Sequence, residues 1–584
     1  MKKLITACMC VLAMMFLCPV SVMAETEAGI LVLPEDDGTE YPVRGISSGY
    51  NHNEEVYEVT VPENIIRLGD EVFLGNTNLS EIQLHSKLQK IGKDAFLGTA
   101  YYDNPENWEE GVLYIEDCLI AVDRNKIGDT YEIRPGTRLI ASGAFEHCKN
   151  LNKIVIPDTI EYVGEDAFAN TGFYNDQNNW NHGVLELDYL LLKVAEDYTG
   201  VLEVKDGIRT IADGAAQACW EITEVITPES LVHIGLNAFS NCSNLEEINL
   251  GKNVETLGRG PFYRCLSLED IVVDEQNEHF QVVDGILFNE ELTSVVKCPQ
   301  QITGSVIIPS TVSVINAYSF ENCGTIAEVM IPQNCVFIGR SAFSGCESLR
   351  KLTIPENMEY IDHYAFEECE NLREILIPDN VTYLGKSAFS NCKALEIAVI
   401  GEGVTALKQK LFSGCGNLTY VELGDNITEI AYTAFEDTKY ICNVRNYKDG
   451  LLVASKKYLM KIASDVVECE IPDGVEVIAD GAFEYVIESK DLEKIYIPKS
   501  LKSYNWYAFH DVLDDVKICY EGTAEKFAEI AGYGWEQINL VTKDLRRMAY
   551  WGIGVLGVLC LASVSMIISS DGAKEELEDD YEEE

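Results

Sequence analysis

The sequence predicts a β-rich α/β solenoid of about fifteen coils, exported and held at a membrane by one C-terminal helix. Three observations predict it: a motif that returns every 23 residues, an apolar leader at residues 1–24, and a charge-free run at residues 548–568. A fixed period of this length marks a repeat architecture, because one short unit cannot bury its apolar side alone and must stack on its neighbours.

The repeat is most regular from Ile331 to Tyr420 and reads I-P-x-x-V/M-x-x-I/L-G/D-x-x-A-F-x-x-C-x-x-L-x-x-I. Ile331-Pro332, Ile354-Pro355 and Ile377-Pro378 keep step with Phe343, Phe366, Phe389 and Phe412, each followed three residues later by Cys346, Cys369, Cys392 or Cys415. Followed outward, the phenylalanine position runs from Phe73 to Phe509, with Ala216 in its place once, and defines the fifteen coils.

Within one unit, Leu352 and Ile354 alternate with Thr353, a short strand with one face inward. Proline then ends the ladder, since it has no N–H to give to the next coil. Met358-Glu-Tyr-Ile361 reads as a second short extended run. The glycine that follows it in many coils (Gly92, Gly164, Gly235, Gly258, Gly339, Gly385) is expected to turn the chain through positive φ. Ala-Phe-x-x-Cys is expected to form one helical or 3₁₀ turn that returns the chain to the next strand.

The joint occurrence of Ile-Pro, Ile-Gly, Ala-Phe and Cys-x-x-Leu at this spacing resembles the BspA-like, or treponemal-type, leucine-rich repeats, over roughly residues 61–519. The resemblance implies a curved right-handed solenoid with a parallel sheet along one face. It also implies exported proteins that often bind host proteins, other cells or polymers, and it brings no catalytic residues.

In chain order, Lys2 and Lys3, the apolar run Leu4 to Leu17 and Val22-Met23-Ala24 compose a signal peptide, so the following domain is expected outside the cell. Residues 25–60 are polar and lack the period, as an N-terminal cap would. The repeat region is interrupted near residues 99–135, 171–205, 270–305 and 438–470, where the spacing stretches to 49, 48, 58 and 48 residues. Three of these insertions align without gaps through Trp108, Trp180 and Tyr447. Because 48 is close to twice 23, each is expected to be a double coil containing a hairpin, and Asp284-Gly285 carries the hairpin signal in the fourth. Their recurrence within one chain favours a structural role for Trp108 and Trp180 over an anchoring one.

Residues 520–547 read as a C-terminal cap and juxtamembrane linker, with a helix at Ala524 to Ala531. Met548 to Ile568 is 21 residues without a charge, about 31 Å as a helix, which matches a bilayer's hydrocarbon thickness, and Tyr550 and Trp551 sit at its edge. Gly552-x-Gly554-x-x-Gly557 lies inside this run with no strand before it, so it is not a dinucleotide fingerprint. The acidic tail, residues 569–584, is expected in the cytoplasm. Arg546 and Arg547 on the outer side oppose that orientation, but a large exported domain overrides such a bias.

The formal charge is −52; the tail carries −8 and the leader +2, leaving −46 on the repeat region. Such a surface repels nucleic acid and anionic membranes; it could favour basic partner proteins or diffuse divalent cations, but solubility of a long exported rod is the simpler reading. Nine of the 19 cysteines hold the Phe+3 position (Cys148, Cys219, Cys242, Cys265, Cys323, Cys346, Cys369, Cys392, Cys415), and no Cys-x-x-Cys pair occurs. Stacked coils would point their Cβ vectors in parallel, which disfavours bridging and favours buried free thiols. The eight histidines show no metal-ligand spacing and no nucleophile–base set stands out, so no catalytic residue, cofactor or metal is expected.

The outward residue between the two buried ones of the strand is Val272, Ile307, Met330, Thr353, Leu376 and Val399, an apolar row that is the candidate ligand-binding surface, against the plainer reading that β-branched residues simply favour strands. The sequence thus reads as a single-pass cell-surface protein that binds an extracellular protein or polysaccharide without catalysis. The alternative is a structural spacer of the envelope; a sensor is disfavoured because a 16-residue tail has no room for a signalling domain.

Overall fold

The computed structural model describes residues 56–483, 492–504, 508, 516–531 and 540–541, with 26–27, 30–32 and 52. The leader, Phe509, the span at 548–568 and the acidic tail lie outside the described residues. Among the described residues no helix is long and apolar enough to cross a membrane. The chain forms two compact units, Met1–Val381 with Gly385–Leu395, and Thr382–Leu384 with Glu396–Glu584.

In the first unit each regular coil has three sides. The strand before the proline pairs in parallel with its neighbours, as where Gly304–Ile307, Ile326–Met330 and Lys351–Thr353 lie side by side with Val306, Val329 and Leu352 buried in register. A second parallel sheet is built from strands of two residues, including Val314–Ile315, Phe337–Ile338 and Tyr360–Ile361. The third side holds the phenylalanines. Phe320, Phe343, Phe366 and Phe389 stack with ring centres 4.8, 5.1 and 5.3 Å apart and planes within 10°. Such offset stacks contribute about 0.5–1.5 kcal/mol each beyond their burial. The second unit repeats the plan, with Ile397–Ile400 paired to Tyr420–Leu423 and Phe412 stacked on Phe435 at 5.4 Å.

Three expectations are corrected here. The third side is not helical. It is a run of tight turns in which the residues two before and two after most of the phenylalanines take left-handed φ, as at Ser341 (51°) and Gly345 (73°) around Phe343. That geometry turns alternate N–H groups toward the next coil: Ser341, Phe343 and Gly345 donate to His363, Ala365 and Glu367 at 2.7–3.0 Å. The helices described are short, Ala100–Asp103, Gly172–Asn175, Lys439–Cys442 and Ala524–Ala531, so the fold is nearly all strand and turn.

Second, the recurrent glycine after the second strand is not in the left-handed region. Gly92, Gly164, Gly235, Gly258, Gly339 and Gly385 are needed because the preceding coil passes too close for a side chain. A Cβ on Gly339 would lie 2.5 Å from the Ala317 nitrogen, and one on Gly92 2.3 Å from that of Asp70. Third, the solenoid makes about 19 turns rather than fifteen. The surplus is one extra turn in each of the four long spacings, where the phenylalanine is missing.

Those extra turns grow the second-sheet strand into an antiparallel meander. Trp108–Glu109, Val112–Ile115 and Cys118–Val122 pair in order, and the last strand continues in parallel onto Leu139–Ile140. Trp180–Asn181, Val184–Leu187 and Leu190–Val194 repeat the arrangement onto Thr210–Ile211. The hairpin turns use two left-handed residues, Asp284 (50°) with Gly285 (79°) in the fourth insertion, the geometry that Asp-Gly favours. Trp108 and Trp180 lock their loops from within: each indole Nε1–H donates to a carbonyl six residues back, Tyr102 at 2.6 Å and Tyr174 at 2.7 Å. Because the inserted turn has no third side, the next coil reaches across it. Ser142, Asp213 and Asp480 donate their N–H groups to Ile91, Val163 and Ile430, each at 2.9 Å.

Candidate functional site

The outward row is produced by strand alternation against a fixed stop. In Ile326–Met330 and Lys351–Thr353 the central apolar residue faces the core, the next faces out, and the isoleucine before the proline ends the strand. Ile307, Met330 and Thr353 are direct partners in the ladder, so their Cα atoms are spaced by about 4.8 Å. Leu376 holds the same position in the next strand, Glu374–Ile377. Ile307 is 68% exposed, Leu376 59% and Met330 46%, well beyond what isolated surface aliphatics need.

Two members of the row stand apart. Val272 is exposed, but it belongs to the sheet ending in Asp270–Val273, and the hairpin insertion lies between it and Ile307 in the chain. Val399 lies in the second unit and is half-buried, so the structure does not bring it into the exposed row. The compact candidate site is therefore Ile307, Met330, Thr353 and Leu376.

The parallel outward column beside it is polar: Ser305, Glu328, Lys351 and Glu374. Lys351 Nζ lies 2.6 Å from Glu328 Oε1, a solvent-exposed pair that orders the border of the row more than it stabilises the fold. In the second unit the same outward column carries Ile397 beside Tyr420, both exposed and in register. Sequence reasoning missed this pair because it followed one column; the shift of apolar residues to the other column was visible only as Ile397-Ala398-Val399.

Titratable groups with large shifts are buried for structural reasons. Desolvation pushes the Asp213 and Asp480 carboxyls up to about 7. Desolvation holds His233 down at about 4, and its Nδ1 is 2.8 Å from Thr256 Oγ1. Among the described residues no group of three or more His, Cys, Asp or Glu side chains is placed to hold a metal ion. The cysteines of the repeat are buried free thiols, and most bond a carbonyl of the preceding coil: Cys346 to Phe320 at 3.2 Å and Cys369 to Phe343 at 3.3 Å.

Six copies of the family model for the BspA type leucine rich repeat region match residues 45–173, 200–292, 297–416 and 386–517. No curated protein matches the sequence. Solved structures with a similar chain include a leucine rich cell surface protein from Faecalibacterium prausnitzii, 20% identical over 69% of this chain and 95% of that one, TM-score 0.38. A leucine-rich repeat protein from Bacteroides ovatus is 19% identical over 87% of this chain and 96% of that one, TM-score 0.30. The pneumococcal vaccine antigen PcpA is 18% identical over 75% and 77%, TM-score 0.27.

Proposed function

The chain belongs to the BspA-type leucine-rich repeat family, and from that premise we propose that it is a non-catalytic cell-surface protein that captures an extracellular protein or glycan on its parallel-sheet face. The observation that carries this reading is the exposed row Ile307, Met330, Leu376 on strands whose other residues are buried or polar. Aliphatic side chains held on a rigid ladder offer a partner area to bury with little entropy left to lose. The signal peptide and the apolar run at 548–568 support display outside the cell on a single membrane anchor, and the −46 of the repeat region favours a partner with a basic rim.

The test is capture of matrix proteins, mucins and polysaccharides by the full-length chain in detergent, at physiological salt with and without calcium. Saturable capture that disappears in the triple variant Ile307→Ser, Met330→Ser, Leu376→Ser, with the melting curve unchanged, is expected. Capture that survives the triple variant removes the row from the binding surface. Silence across the whole panel turns the balance to a structural spacer, a role that the stacked phenylalanine runs between the insertions also suit.

A further inference from the structure

Off the parallel sheet, on the turn side of the first unit, three arginines are each laid over a tyrosine ring. The guanidinium carbon of Arg264 is 5.9 Å from the centre of the Tyr263 ring, that of Arg259 is 5.7 Å from Tyr318, and that of Arg340 is 5.5 Å from Tyr364. The Tyr263 and Tyr318 rings meet at 4.5 Å, and the Tyr318 N–H donates to the Arg340 carbonyl at 3.0 Å, so the six residues form one patch. The repeat places them there: each lies within three residues of Phe262, Phe320, Phe343 or Phe366, where successive coils stack. Arg264, Tyr318 and Tyr364 take left-handed φ of 56–63°.

In a chain with 96 acidic residues against 44 basic ones, an arginine is expected to have a carboxylate partner. Arg134 and Arg138 do, whereas among the described residues Arg124, Arg209, Arg350, Arg373 and Arg445 are in no ion pair. Among the described residues no ion pair involves Arg259, Arg264 or Arg340. Lys297, only 3% exposed, donates its Nζ to the Tyr318 carbonyl at 3.1 Å. The carboxylate that reaches this cluster, Glu321, is buried and accepts the Arg264 backbone N–H at 3.2 Å, leaving the guanidinium edge uncommitted. The Tyr263 phenol is pushed up by burial and then by Glu321, while Arg264 and Arg340 both act on it in the opposite direction, so one buried carboxylate and two cations surround this hydroxyl.

A guanidinium stacked on a ring keeps its N–H edge free, and that edge matches a carboxylate with two parallel bonds. The charge of the whole chain repels long polyanions, so the matching ligand is short and brings its anionic group on a compact, hydroxylated body. Phenol hydroxyls beside the guanidinium forks can bond such hydroxyls, whereas an acidic peptide would bring several carboxylates into the same repulsive field. We infer that the arginine–tyrosine patch binds a carboxylate-bearing sugar at the end of a glycan chain. This site deepens the proposed glycan capture, yet it shares no residue with the aliphatic row, so each fails or stands separately.

The test is saturation-transfer NMR on the full-length chain with glucuronic acid, its neutral counterpart glucose, and a tetra-aspartate peptide. Glucuronic acid is expected to give the signal and glucose none. The double variant Arg259→Gln, Arg340→Gln should weaken glucuronic acid at least tenfold while leaving the circular dichroism spectrum unchanged. Should that variant misfold, Arg264→Gln, at an exposed position, is expected to give at least a threefold loss. Equal signals from the two sugars, undiminished binding by a folded variant, or tetra-aspartate binding more tightly than glucuronic acid would each overturn the assignment, the last in favour of an acidic peptide.

Discussion

Cys369 donates its thiol hydrogen to the carbonyl of Phe343, 3.3 Å away and one coil earlier, and Cys346 and Cys392 do the same to Phe320 and Phe366. These three carbonyls, each of which also accepts the N–H of its own coil's cysteine, thus gain a second donor from the cysteine of the coil that follows. Sulfur suits this place because it fills the gap behind the ring as a small hydrophobe and still offers a weak donor. Cys369→Ala is expected to cost about 1–2 kcal/mol, mainly from the vacated volume, since the Phe343 carbonyl keeps the Cys346 N–H at 3.2 Å. Urea denaturation measures it. A change below about 0.5 kcal/mol, ordinary for a surface site, would show that the thiol is not structural.

Burial also governs the reactivity of these thiols. Desolvation raises Cys219 to about 11 and Cys265 to about 12, while Cys442, in the loop of the last insertion, is exposed. Thiolate is the reacting form, so iodoacetamide at pH 8 should label Cys442 within minutes and leave Cys219, Cys265 and Cys369 unmodified until denaturant is added. Peptide mass mapping reads the order, and early labelling of Cys265 in the native chain would contradict the packing described.

Close approach makes its own prediction. Gly339→Ala puts a methyl group 2.5 Å from the backbone nitrogen of Ala317, which must shift, whereas Gly128 has nothing within 4 Å of its missing Cβ. Gly339→Ala should therefore destabilise by about 1–3 kcal/mol, as overpacking does. Gly128→Ala should stay within about 0.5 kcal/mol. Equal effects from the two would mean that the coil spacing at Gly339 relaxes freely.

What the sequence told and withheld follows from the same contacts. The 23-residue period, the inward strand residues and the Asp-Gly hairpin are local signals, and they were legible. The conformation of the third side was not, because its left-handed positions are filled by Ser341, Tyr364, Lys410 and Asn391 as readily as by Gly345. Glycine fills only some of them, such as Gly143, Gly345 and Gly414, while the glycines that recur after the second strand answer to backbone in the coil before. The apolar row was legible as a column, but the hairpin that separates Val272 from Ile307 and the half-burial of Val399 depend on where an insertion places its strands. The arginine–tyrosine patch gave no signal at all, since Tyr263 and Tyr318 are 55 residues apart and meet only because an extra turn lies between them.

Asp213 carries the last prediction. It follows an inserted turn, its N–H spans that turn to the Val163 carbonyl, and its Oδ1 accepts the Leu236 N–H at 2.7 Å. Oδ2 is buried without a partner, and the groups around it, Lys90 and Arg67 on one side of the balance and Glu165 on the other, do not offset the desolvation that lifts the carboxyl from 3.8 to about 7. The folded state therefore holds a proton that the unfolded chain has already released between about pH 4 and pH 7. Its contribution to stability is greatest below pH 4 and is lost as pH rises to 7, the reverse of a salt-bridged aspartate. Asp213→Asn keeps the acceptor for Leu236 and removes the titration. The variant should come nearest the parent in urea midpoint below pH 4 and exceed it at pH 8, by an amount on the order of 1.4 kcal/mol for each unit of upward shift that survives relaxation. Parallel curves for the two proteins across this range would mean that water already reaches Oδ2 in the native state.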